Sequence, residues 1–199
     1  MSIRGSILFV ALLAGCGGAK VEVSSQFPVP IVEKVPLPIG IHIDDALRTF
    51  THTEILEGRG EWEIDLGPAQ QPMFLSLLEG MFYGHRLVDD VGGDNEDVAA
   101  ILVPSIEELQ FSTPRQTRTE YFEVWIRYQF KFYDNSGVLL GEWPLTAYGK
   151  SHMQNHGTAS NSLQAAALLA CRDAMAFFTL QFRSEPTVKE WLASQLGGS

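Results

Sequence analysis

The sequence predicts an α+β domain: a mostly antiparallel sheet with two main helices packed on one face. Three stretches carry that prediction. Phe122, Val124, Ile126, Tyr128, Phe130 and Phe132 take every even position of 121–133, while Glu123, Arg127, Gln129 and Lys131 sit between them. Alternation over that length marks a long strand with one buried face. Met73, Phe74, Leu77, Leu78, Met81 and Phe82 recur at helical spacing, and Ser162–Phe182 is apolar around most of its circumference. Each of these helices needs a sheet to cover it. Strands and helices follow one another without a regular βαβ alternation, which separates α+β from a parallel α/β fold.

Taken in order, the chain opens on Arg4 and the apolar run Ile7-Leu8-Phe9-Val10-Ala11-Leu12. A membrane-spanning helix needs about 20 residues, so a run this short with small residues at its end is a signal segment. The next four residues, Leu13-Ala14-Gly15-Cys16, resemble the lipobox of bacterial lipoprotein signal peptides. The resemblance implies cleavage before Cys16, acylation of that cysteine, and anchoring in a membrane through its acyl chains. Gly17, where an inner-membrane lipoprotein carries Asp, implies the outer membrane of a Gram-negative cell, with the protein facing the periplasm. Residues 1–15 are then signal peptide, 16–38 a lipidated cysteine with a proline-rich tether, and 39–199 a single α+β domain.

Pro28, Pro30, Pro36 and Pro38 preclude a helix in that tether and favour an extended chain. The segments 31–32 and 39–43 can alternatively pair as an edge strand. Glu61-Trp62-Glu63-Ile64-Asp65-Leu66 alternates as a half-buried strand, Gly67-Pro68 breaks it, and Gly84 closes the helix that follows. Ala99–Val103 reads as a short buried strand that Pro104 ends or bends. Asp134-Asn135-Ser136-Gly137 supplies turn chemistry, and 138–148 returns as the second arm of a hairpin, with Pro144 marking a bend, a bulge or the sheet edge. Ser160 or Asn161 can cap the long helix, and Thr187 with Glu190 forms a capping box for a short last helix.

The charge is −10 over 199 residues and becomes −11 without residues 1–15, which argues against nucleic acid as a partner. Cys171 lies among alanines and leucines and reads as a buried apolar residue with no base placed to activate it. The acidic stretch 89–97 lacks the alternate oxygen spacing of a calcium loop. His152 and His156 lie in a glycine- and serine-bearing loop with no adjacent third ligand. No nucleotide, phosphate-loop or nucleophile-elbow motif is present, so no cofactor, metal or catalytic residue is expected.

One candidate binding face remains. Tyr121, Trp125, Arg127 and Tyr133 share the outer side of the long strand, where rings with polar edges suit a sugar or a peptide; equally, they can lie beneath a helix or loop. The order of elements is similar to that of small periplasmic lipoproteins of envelope assembly, including those of lipopolysaccharide assembly, curli secretion and ABC transport. This likeness implies a non-catalytic envelope lipoprotein that binds a protein or an envelope polymer. The alternative is a tethered hydrolase of cell-wall or carbohydrate material, using two of Glu61, Glu63, Asp65, Glu107, Glu108, Glu120 and Glu123.

The lipobox generates the first prediction. Intact-mass measurement of the membrane-extracted protein is expected to show a chain that begins at Cys16 and carries acyl mass. A free thiol at that residue, or an uncut Met1, contradicts it.

Overall fold

The structure is a computed structural model that describes residues 18–197; Cys16 and the rest of the lipobox lie outside the described residues. In chain order its elements are β1 (Ala19–Glu22), β2 (Val35–Ile41), α1 (Asp45–Arg48), β3 (Thr51–Leu56), β4 (Gly60–Asp65), α2 (Gly67–Met81), β5 (Phe82–Leu87) and β6 (Ala100–Ser112). There follow α3 (Pro114–Thr117), β7 (Tyr121–Asp134), β8 (Leu139–His152), α4 (Ala159–Gln181) and α5 (Pro186–Leu196). The fold is α+β. Its strands form two mixed sheets, β1-β4-β3 and β5-β2-β6-β7-β8.

The hairpin behaves as its alternation dictates. Phe122, Val124, Ile126, Tyr128, Phe130 and Phe132 are all buried, and β8 answers with buried Trp143, Leu145 and Ala147. At the turn, the Asp134 carboxylate accepts hydrogen bonds from Ser136 N at 2.9 Å, Ser136 Oγ at 2.7 Å and Val138 N at 2.9 Å. Burial works against its charge, but these bonds outweigh that and hold its carboxyl below the ordinary value. Pro144 sits on β8, which is the edge of the larger sheet, and the register shifts between Phe132 and Tyr133. Edge position explains how a residue without an N–H is accommodated.

Helix α4 lies across the inner side of β7 and β8 through small residues. A Cβ added at Gly149 would fall 2.2 Å from the Ala166 carbonyl oxygen and 2.3 Å from the Ala170 nitrogen, so helix and strand backbones touch there. Larger side chains fill the space on one side of that contact: Phe130 lies 4.8 Å from Phe178 and Phe132 5.0 Å from Trp191, ring centre to ring centre. By length and composition 159–184 would qualify as a membrane span, yet Leu163, Ala166, Ala167, Ala170, Cys171 and Ala174 are buried in the domain core. Nearby, Tyr128 donates its hydroxyl to Gln70 Oε1 at 3.1 Å, and Gln70 Nε2 donates to the Leu66 carbonyl at 3.1 Å. These fully buried polar groups thereby satisfy one another.

Several expected boundaries shift. The tether expected over 16–38 is replaced, where described, by chain that packs on the body. Ala19–Glu22 pairs in parallel with β4, Val23 and Phe27 are buried, and Val35–Pro38 belongs to β2, which is internal in its sheet rather than at an edge. Between β1 and β2 the chain runs along α4. Gln164 Nε2 donates to the Glu22 carbonyl at 2.6 Å, Pro28 and Pro30 line a shallow recess with Met175 and Leu180, and Arg183 donates to the Glu33 carbonyl at 2.8 Å. Pro30 also lies over Gly80 of α2, where a Cβ would come within 2.4 Å of the Pro30 carbonyl oxygen. Proline density does dictate an extended chain here. That chain is a strap across two helices instead of a spacer.

Pro104 does not end its strand. Strand β2 pairs with β6 only at Ala100–Leu102, so beyond that point β6 has β7 on one side alone and the missing N–H removes no second ladder. Gly84 lies in β5 rather than closing α2, since Phe82 already turns extended (φ −129°, ψ 156°). The long helix starts earlier than expected, capped by Thr158 Oγ1 accepting from Asn161 N at 3.1 Å. The final helix has no side-chain cap, so the Thr187–Glu190 box does not form.

The α4–β8 contact gives the second prediction. Gly149→Ala forces the two backbones apart and is expected to destabilise the protein by about 3 kcal/mol, seen as an earlier midpoint in urea at unchanged slope. Unchanged stability would mean that the helix is not seated on the strand.

Candidate binding face

The outer side of β6, β7 and β8 has the residues the alternation places there. Tyr121, Trp125 and Arg127 are brought together along one end of β7, with Tyr121 36 % exposed and Trp125 half-buried. Their cross-strand neighbours complete the face. Register puts Tyr148 opposite Trp125, with ring centres 5.1 Å apart, and His152 opposite Tyr121, with ring centres 5.2 Å apart. Lys150 Nζ lies 5.0 Å from the centre of the Tyr121 ring, within cation–π range. Trp125, Arg127, Thr146, Glu108 and Gln110 enclose a shallow hollow of 250 Å³.

Tyr133 does not join them. It lies six residues beyond Arg127, about 20 Å along an extended strand. There it packs with Val88, Val91, Val98, Ile101 and Val103, a second small apolar cluster built partly from the 88–98 loop. Both open alternatives for these aromatics therefore occur on one strand: Tyr133 meets the loop residues, and Trp125 faces the hollow.

Polar groups hold the face in shape. Tyr148 donates its hydroxyl to Glu123 Oε1 at 2.6 Å, and Ser112 Oγ donates to Glu123 Oε2 at 3.1 Å. Burial and then the Glu123 carboxylate push the Tyr148 phenol up to about 12. Asp173 of α4 accepts from the Tyr148 backbone N–H at 2.9 Å, closing one amide on the free edge of β8. Arg127 Nε pairs with Glu107 at 3.1 Å, next to a bulge between Ile106 and Glu108. Sequence reading missed Tyr148, Gln110 and Glu123 as members of the face. Counting back from the turn reaches Tyr148 only if the register shift near Tyr133 is known, and Gln110 comes from a strand whose bulge hides its phase.

Several other titratable groups have structural work. Arg86 clasps Asp97 at 2.7 and 2.5 Å and holds that carboxyl below its ordinary range, while buried Asn95 donates to the carbonyls of Asp90, Val91 and Gly93. The acidic 89–97 stretch is thus tied internally. His152 Nε2 lies 3.1 Å from Glu120, and Lys20 pairs with Glu63 at 2.7 Å. Among the described residues no group of three His, Cys, Asp or Glu side chains has metal-holding geometry. Cys171 is fully buried, and burial pushes its thiol up to about 12, far from a reactive thiolate. Of the seven carboxylates considered for hydrolysis, Glu61, Glu63 and Asp65 lie on β4, whereas Glu107, Glu108 and Glu123 lie on β6 and β7 of the other sheet.

A larger recess of 460 Å³ opens where the two sheets meet the start of α4. Trp62, Phe122 and Met153 line it, as do Arg59, Arg115 and Ala159. These residues come from the β3–β4 turn, α3, the hairpin and the loop before α4, so no local sequence pattern announces them.

No protein-family profile matches this chain, and no curated protein does. Solved structures with a similar course of the chain include a DUF330-family protein from Xanthomonas campestris, 12 % identical with TM-score 0.47, covering 84 % of this chain and 98 % of that one. A minor lipoprotein from Acinetobacter baumannii is 12 % identical with TM-score 0.43, over 76 % of this chain and 94 % of the other. A hypothetical protein from Chlamydia trachomatis is 7 % identical with TM-score 0.46, over 80 % and 99 %. At these identities and scores none of them lends the chain a role.

Titration checks the Tyr148–Glu123 pair. The ordinary phenol value is 10.0 and the folded value about 12, so Tyr148 contributes stability that is complete below pH 10 and is lost as pH rises through about 12. Replacing Glu123 with Gln is expected to move one tyrosine's ultraviolet titration back toward 10 and to flatten that stability loss. An unchanged titration curve would break the assignment.

Proposed function

We propose that this is a lipid-anchored envelope protein, held in the outer membrane through Cys16 and facing the periplasm, that works by binding an envelope polymer or protein through the outer face of β7 and β8. The observation that carries the reading is the hollow around Trp125. One indole and one phenol ring are held 5.1 Å apart, tilted by 38°, on a sheet face where Arg127, Gln110 and Thr146 surround them with donors and acceptors. Such a ring with polar groups at its rim stacks on the apolar side of a pyranose while its neighbours bond the hydroxyls. An extended polysaccharide strand is the occupant this face suits best, lying across β6, β7 and β8.

The lipobox residues supply the location, and the acidic charge leaves membrane attachment to acyl chains instead of basic side chains. Catalysis is not needed to account for the side chains present. Glu107, Glu120, Glu123 and Glu63 are engaged with Arg127, His152, Tyr148 and Lys20.

Two measurements test the reading separately. Density-gradient fractionation is expected to place the protein with outer membranes, and Cys16→Ala to release it. Retention of the purified protein on immobilised envelope polysaccharide is expected to fall about tenfold for Trp125→Ala, the loss of roughly 1.4 kcal/mol of stacking. Full retention by Trp125→Ala with unchanged thermal stability would remove this face from the binding site.

A further inference from the structure

The recess at the start of α4 is unlike the rest of the surface. The chain has 24 acidic and 14 basic residues, yet the recess is lined by two arginines and by no carboxylate. Arg59 is half-buried, and among the described residues its side chain makes one hydrogen bond, from Nη1 to Thr113 Oγ1 at 2.8 Å, which leaves its other N–H groups to face a ligand. Its backbone is fixed as well, since its carbonyl accepts from Trp62 Nε1 at 3.3 Å. Arg115 is exposed and has no hydrogen-bond or ion-pair partner among the described residues. Buried Trp62 and Phe122, with rings 6.1 Å apart, present an apolar wall that exposed Met153 extends. Ala159, the first residue of the 23-residue helix α4, also lines the recess, so the positive end of its dipole adds to the two guanidiniums.

Cations at the mouth and an apolar interior form the template of an anionic amphiphile. A fork-shaped guanidinium binds phosphate oxygens in pairs, and the rings behind it cover the first methylenes of a chain. The source follows from where the recess lies. Strand β1 pairs with β4 so that Ala19 stands beside Trp62, in the wall of the recess, and three residues of chain span at most about 10 Å back to Cys16. We propose that the recess takes the headgroup of an anionic membrane phospholipid, with its phosphate on Arg59 and Arg115 and the start of an acyl chain against Trp62, Phe122 and Met153. The choice of a bilayer lipid rests on the anchoring at Cys16 proposed above; the chemistry of the recess does not. A lipid held there fixes the orientation of the body against the bilayer surface.

The test is calorimetric titration of the purified full-length mature protein in a nonionic detergent with dihexanoyl-phosphatidylglycerol below its micelle concentration. Saturable binding is expected, with dihexanoyl-phosphatidylcholine, inorganic phosphate and a glutamate-rich peptide each at least about tenfold weaker. Arg59→Gln with Arg115→Gln is expected to weaken phosphatidylglycerol at least about tenfold. Arg115→Gln alone, at a residue whose side chain has no bonding partner among the described residues, is expected to weaken it by about threefold with no change in thermal midpoint. Equal binding of phosphatidylcholine, phosphate as tight as the lipid, preference for the peptide, or indifference to Arg115→Gln would each overturn the proposal. An unacylated Cys16 would remove the anchor while leaving this titration as it is, and a null titration on an acylated protein would remove the lipid site alone.

Discussion

Everything in this fold is arranged around the contact of α4 with β8 at Gly149. Because a strand residue without a side chain meets Ala166 and Ala170, the helix axis comes close enough for its other contacts to form. Phe178 reaches Phe130 and Trp143, the chain turns at Phe182 into the same aromatic group, and Trp191 of α5 closes on Phe132. On its other sides the same helix bonds to the smaller sheet through Gln164 and to the sheet edge through Asp173. Dispersion between well-fitted surfaces is weak per atom pair and large in sum, so a helix displaced by one methyl group loses contact on several fronts together.

That arrangement divides the larger sheet by face. The inner side is committed to packing, and Tyr128 there and Gln70 of α2 spend their hydrogen bonds on each other and on the backbone. Among the described residues no helix covers the outer side around Trp125, Tyr148 and Arg127. The recess at the start of α4 belongs to neither face. It lies between the β3–β4 turn, α3 and the loop before α4, and Trp62 serves both the core and the wall.

Periodicity made the hairpin, α2 and α4 legible, since a side-chain period of 2 or 3.6 needs only a local count. The α+β class followed from their order. What could not be counted was pairing between distant strands. Strands β2 and β5 are parallel neighbours although Val35 and Phe82 are far apart in the chain, and β3 has alternating exposure too weak to stand out. Pro104 misled for the same reason: whether a proline ends a strand depends on whether its other edge has a partner, and that is a tertiary fact. Of the binding face, Tyr121, Trp125 and Arg127 came from local alternation. Tyr133 lay on the same side by that count but under a loop, and Tyr148 entered through a register that the shift near the turn obscures.

The strap between β1 and β2 has a mechanical consequence. Tension entering at residue 18 runs along the axis of β1 and loads its four pairings with β4 in shear, all at once, rather than peeling them singly. Beyond β1 the load passes to Gln164, to the prolines seated against α2 and α4, and then to Arg183. A chain tugged at this end therefore pulls on the middle of its own core.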